Sequence, residues 1–104
     1  MVKIDHIAMT ATNIEETAKW YIENLNFEIK YIDQTWALLI NQNGTKIALA
    51  KPEQHPPHVA FTVSNLNSFP PGKIKYHRDG SAYLYTEDPS GNVIEYICWP
   101  DSFD

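Results

Sequence analysis

Residues 2–9 (VKIDHIAM) place apolar and β-branched side chains at alternating positions, the pattern of a half-buried strand. Asn13 then offers a side-chain oxygen as an N-cap, and Glu15 and Glu16 follow where a helix start favours acids. Ile14, Ala18, Tyr21, Ile22 and Leu25 recur at helical spacing, which predicts a helix to about Leu25 with one side lying on a sheet. Three further strands are expected at 27–33, 35–40 and 46–50, the last two joined across Asn43-Gly44, a strong hairpin signal. Pro56-Pro57 interrupts this pattern, and strand character resumes at 58–63. The next stretch, Asn65-Leu-Asn-Ser-Phe-Pro-Pro-Gly72, leaves room for at most one helical turn. Strands at 73–77, 81–86 and 93–99 complete the pattern, with a turn over 88–92 and an unstructured tail at 100–104.

The second series copies the first. His6-Ile-Ala-Met-Thr-Ala-Thr-Asn13-Ile14 is answered 52 positions later by His58-Val-Ala-Phe-Thr-Val-Ser-Asn65-Leu66. Gly44-Thr-Lys-Ile-Ala48-Leu is answered 47 positions later by Gly91-Asn-Val-Ile-Glu95-Tyr, so the second copy is shorter in its middle. The expected fold class is therefore α+β, two βαβββ modules at about 1–51 and 56–99, with the helix of the second module eroded.

Composition narrows the function classes. A chain of 104 residues with 43% hydrophobic content is expected to make one domain over 1–104. The net charge is −5 and the eight Lys and Arg are scattered, which argues against a nucleic-acid partner. No basic, then apolar, leader precedes the first strand, and the longest apolar run, residues 36–40, cannot span a bilayer. A cytoplasmic protein with no membrane partner is expected, and the lone Cys98 fits a reducing compartment.

His6 shares a strand face with Ile4 and Ala8, while Ile7 and Met9 point to the face a helix would cover. By the repeat His58 is placed likewise. If a pseudo-twofold axis relates the modules, the two histidines converge and Glu95 joins them from the last strand. Two imidazoles and a carboxylate form a facial set for a divalent ion, leaving coordination positions open. A fourth protein ligand would come from the position that matches Glu95 in the first module, and that position is Ala48. The plainer reading is a chain that keeps these residues without loading metal.

His-Ile-Ala near the start, a capped helix, His-Val-Ala-Phe in mid-chain and Asp88-Pro-Ser-Gly-Asn-Val-Ile-Glu95 near the end resemble the vicinal-oxygen-chelate (glyoxalase/bleomycin-resistance/dioxygenase) superfamily. The resemblance covers essentially the whole chain. It implies a mixed sheet curved into an open cup around a metal, a small-molecule substrate and usually a homodimer. Within the superfamily the run from His77 is similar to extradiol ring-cleaving dioxygenases: His77, six residues, Leu84-Tyr85, two residues, Asp88-Pro89, one residue, Gly91, three residues, Glu95. Two positions before the histidine that family has Gly, Asn, Thr, Ile or Val, and this chain has Lys75. Its further acid/base histidine has no clear counterpart either, His55 being a candidate by proximity alone.

The resemblance implies His6, His58 and Glu95 as metal ligands, and His77 and Tyr85 as groups that hydrogen-bond substrate and oxygen species. Fe(II) is the favoured ion, with Mn, Ni, Zn or Co as alternatives. Three functions stay open: a dioxygenase on a small oxygen-chelating, catechol-like substrate; a glyoxalase-like lyase or isomerase, against which Ala48 counts; and a metal-free drug-binding or resistance protein. Aromatics at Trp36, Tyr85 and Trp99 would suit the last. Taken singly, His77 and Tyr85 also fit ordinary half-exposed strand positions.

Overall fold

The computed structural model describes residues 2–102. Its strands are β1 (Lys3–Thr10), β2 (Glu28–Ile32), β3 (Trp36–Ile40), β4 (Lys46–Ala50), β5 (His58–Thr62), β6 (Lys75–Tyr76), β7 (Ala82–Glu87) and β8 (Val93–Cys98), with one helix, α1 (Ile14–Leu25). The α+β class and the order of elements are those read from the repeat. Two compact units emerge among these residues, 6–57 and 58–102 with residues 2–5. Among the described residues no helix is long and apolar enough to cross a membrane.

In the unit of residues 6–57 the sheet order is β2-β3-β4-β1. β1 and β4 run parallel, and β2, β3 and β4 are antiparallel. The Asn13 side chain accepts the Glu16 amide at 3.0 Å, and the helix ends at Asn26 in the left-handed region (φ 59°). Ile14 and Ala18 pack on Ala37, Leu39, Ile47 and Leu49 of the sheet. Leu39 and Leu49 are fully buried, worth about 1.5–3 kcal/mol each. The helical stripe is narrower than its spacing suggests, since Leu25 stays exposed. Ile7 is likewise 39% exposed rather than covered, whereas Met9 accepts a hydrogen bond from the Tyr21 hydroxyl at 3.5 Å.

In the unit that holds residues 58–102 the order is β5-β8-β7-β6. Residues 3–5 of β1 belong to it, the Thr62 hydroxyl donating to the Lys3 carbonyl at 3.2 Å. β5 and β8 run parallel, in the register that β1 and β4 adopt: Ala60 faces Glu95 as Ala8 faces Ala48. The eroded helix is a 3-10 turn, Leu66–Ser68. Leu66, Phe69 and Ile74 pack on Val63, Ala82 and Cys98, so the loop covers the face that corresponds to the one α1 covers in the other unit.

The two echoes at an offset of 47 are the same five-residue loop. In 41–45 and 88–92 the first residue's amide donates to the fifth carbonyl, and the glycine amide donates back to the first carbonyl. Gly44 (φ 84°) and Gly91 (φ 86°) occupy the left-handed position that a Cβ would strain. The Asn92 side chain and backbone amides hold the exposed Asp88 carboxyl below its ordinary range.

Two expectations need correction. The strand expected over 73–77 pairs only at Lys75 and Tyr76, because Pro70-Pro71 precede it and Gly72 (φ 150°) lies so close to Leu84 that a Cβ would sit 2.7 Å from its Cδ1. The tail expected to be unstructured forms a 3-10 turn, Pro100–Ser102; residues 103 and 104 lie outside the described range.

Candidate metal and substrate centre

Glu95 is central to β8, and alternation puts it on one face with Ile97 while Tyr96 and Cys98 pack on the other. Its parallel neighbour is Ala60 on β5, and His58, two residues earlier, shares that face. Its antiparallel neighbour is Tyr85 on β7, directly opposite. His77 follows β6, held by its amide donating to the Ser81 carbonyl at 2.9 Å. Four of the five residues singled out by the sequence, His58, His77, Tyr85 and Glu95, thus meet on one face of one unit.

The Glu95 carboxylate is 1% exposed and divided between two imidazoles: Oε1 lies 3.1 Å from His58 Nε2 and Oε2 lies 2.7 Å from His77 Nε2. A carboxylate withdrawn from water costs several kcal/mol, and hydrogen bonds to a charged group return about 1.5–3 kcal/mol each. Such a group is costly to keep unless something positive meets it. The donor chemistry, imidazole nitrogen beside carboxylate oxygen, suits a divalent first-row ion.

Around this pair stand aromatic rings. Tyr85 meets His58 edge-on at 5.0 Å (81°), Tyr83 meets Tyr85 at 5.5 Å (75°), and Tyr83 stacks on His77 at 3.7 Å (10°). Burial, then the Glu95 charge, then Tyr83 push the Tyr85 phenol well above its ordinary range. The phenol is therefore held in its protonated form.

Tyr83 and the direct His77–Glu95 contact were not anticipated. Tyr83 had a signal: it stands two residues before Tyr85, and its counterpart 47 positions earlier is Trp36. The histidine contact had none, because it depends on where a loop leaves the sheet.

His6 stands half-buried on β1 in the unit of residues 6–57. It directly follows Asp5, which belongs to the other unit and accepts the Trp99 indole N–H at 2.9 Å. Ala48 occupies the position that matches Glu95, paired with Ala8 and Leu38 where Glu95 pairs with Ala60 and Tyr85. The first module therefore offers no second carboxylate there. Trp36 lies across from Ala50 and tilts over Tyr31 at 4.9 Å; its buried indole N–H has no partner among the described residues. His55 lies in the loop ahead of β5, outside any strand.

The family model described as the Glyoxalase/Bleomycin resistance protein/Dioxygenase superfamily matches residues 3–78. No curated protein matches the chain. Among solved structures, a hypothetical protein from Bacillus halodurans C-125 is similar at TM-score 0.77 and 17% identity, over 99% of this chain and 98% of that one. A methylmalonyl-CoA epimerase in complex with methylmalonyl-CoA and NH4+ gives 0.74 and 14%, over 100% and 99%. A methylmalonyl-CoA epimerase from Streptomyces coelicolor in complex with 2-nitronate-propionyl-CoA gives 0.72 and 16%, over 94% and 97%. At such identities the likeness is one of fold.

Proposed function

The chain belongs to the Glyoxalase/Bleomycin resistance protein/Dioxygenase superfamily, and from that premise we propose that it is a small metal-dependent enzyme, most like a dioxygenase acting on a small oxygen-chelating substrate of the catechol type. The observation that carries this reading is the Glu95 carboxylate, buried to 1% exposure with an imidazole nitrogen at each oxygen. In the proposal His6, His58 and Glu95 are the protein ligands of a divalent ion, Fe(II) in preference to Mn, Ni, Zn or Co. Such an ion, when bound, acts as a Lewis acid that lowers the pKa of a chelated hydroxyl and leaves positions open for a second reactant.

The rest is assigned to this chain's own side chains. Glu95 supplies the negative charge that favours a cation, and His77 fixes its Oε2, leaving Oε1 turned toward His58. Tyr85 keeps its proton on Oη and donates a hydrogen bond to a substrate oxygen lying over the face that Tyr85 and Glu95 share. His77, tied through Nε2, retains Nδ1 to take or return a proton. The Tyr83 and Tyr85 rings form an apolar wall for a planar molecule and exclude water. A cytoplasmic homodimer is part of the same proposal.

The test is metal content of protein purified without chelators, followed by oxygen uptake on a panel of catechols. About one ion per chain and uptake with at least one catechol are expected. Metal without uptake would turn the assignment toward a lyase or isomerase. Failure to take up Fe(II), Mn(II) or Ni(II) would leave a metal-free binding protein.

A further inference from the structure

A cavity of about 210 Å³ lies along β7, lined among others by Gly72, Lys73, Lys75, Tyr83, Leu84 and Tyr85, and of these Tyr85 stands opposite Glu95. It has no carboxylate side chain in its lining. Neither lysine has an ion-pair partner among the described residues. In a chain of net charge −5, two unpaired ammonium groups at one cavity make a local reversal of sign.

Strand register ties this cavity to the centre. Lys75 faces Tyr83, which faces Ile97; one step along, Tyr85 faces Glu95. Directly opposed residues share a face, so Lys75 rises from the same surface as Tyr83, Tyr85 and Glu95. β6 and β8 are two strand spacings apart, about 10 Å, and the four-carbon stem of lysine shortens that span to the size of a single-ring acid. The volume agrees, since a cavity of about 150 Å³ accepts a benzene ring.

We propose that Lys75, assisted by Lys73, binds a carboxylate of the substrate, so that the preferred substrate is a small aromatic acid whose ring lies against Tyr83 and Tyr85. This rests on the metal-centre reading for where the ring's oxygens go, but the charge preference belongs to the cavity alone. The two ammonium groups hold the anionic end, and the tyrosine wall fixes the ring between them and Glu95.

The test uses two probes of one shape, 3,4-dihydroxybenzoate and 3,4-dihydroxybenzamide, titrated anaerobically into Mn(II)-loaded protein. The benzoate is expected to bind about tenfold tighter at low salt, an advantage that shrinks as salt rises. Lys75→Gln should remove most of this ratio, and Lys73→Gln with Lys75→Gln all of it, with amide binding unchanged. Both lysines are exposed, so the variants should retain the parent melting temperature. A ratio near one in the parent, a ratio that survives the double variant, or no binding of either probe would overturn the inference. If no metal loads, the same titration on metal-free protein separates the two ideas: a benzoate preference that depends on the lysines sustains the anion site while the metal reading falls.

Discussion

Glu95→Gln is the sharpest perturbation available, because it keeps the shape of the side chain and removes only its charge. In the metal-free protein the glutamine amide can still accept from one imidazole and donate to the other, the two contacts now at 3.1 and 2.7 Å. Two hydrogen bonds weaken from the charged to the neutral kind, a loss of about 1 kcal/mol each. Against this, the cost of burying a carboxylate at 1% exposure, several kcal/mol, disappears. The terms oppose each other, and metal-free stability should stay within about 1 kcal/mol of the parent or rise. With metal the sign reverses. At a metal concentration of 100 times Kd the parent gains about 2.7 kcal/mol, which for a domain of this size raises the melting temperature by about 10–20 °C. The variant, lacking the anionic ligand, should show almost none of that rise. The assay is thermal melting with and without Mn(II), followed by circular dichroism. A variant that keeps the metal-induced rise would show that Glu95 is no ligand. One that loses more than about 3 kcal/mol without metal would show that Glu95 is there to hold the fold.

Three other outcomes follow from the same geometry. Tyr85→Phe should leave metal affinity unchanged while lowering turnover about 10²-fold or more, since the hydroxyl is a donor and not a ligand; an unchanged turnover number would remove Tyr85 from the chemistry. Leu39→Ala empties a site with no exposure between α1 and the sheet and should cost about 2–5 kcal/mol in urea unfolding. Asp88 has a folded pKa below its ordinary 3.8, so the unfolded chain binds the proton first. The stability it contributes is present above pH 4 and is lost as pH falls through the lower folded value. Asp88→Ala should flatten that acid limb of the urea midpoint, and an unchanged slope would refute the assignment.

The features legible in the sequence were those the chain encodes locally and states twice. Asn41-Gln-Asn-Gly-Thr45 and Asp88-Pro-Ser-Gly-Asn92 carry their turn chemistry within five residues, so both turns could be placed from the sequence, and the register that the second sets puts Tyr85 opposite Glu95. The helix start at Asn13 was legible for the same reason. What escaped depends on distant partners. Residues 73–77 alternate like a strand, yet a ladder also needs a partner in reach, and Pro70-Pro71 with Gly72 against Leu84 hold the chain off β7 until Lys75. His77 then leaves the ladder in the His77–Ser81 loop, and that departure carries its ring to Glu95.

The comparison between copies explains why the centre is lopsided. At matching register the first module carries Trp36, Leu38 and Ala48, and the second Tyr83, Tyr85 and Glu95. An apolar set on a half-buried sheet face is what packing alone would select. Replacing it with two phenols and a carboxylate puts polar groups where each must find a partner, and the imidazoles of His58 and His77 supply the carboxylate's. A departure of this kind from the pattern of the sister module costs stability, and functional sites are where such departures are expected. The same reasoning extends to Lys75, a cation set on that face without an acid to answer it: the second module concentrates the unusual residues, and the first provides the framework of strands and the single histidine, His6, proposed to complete the ligand set.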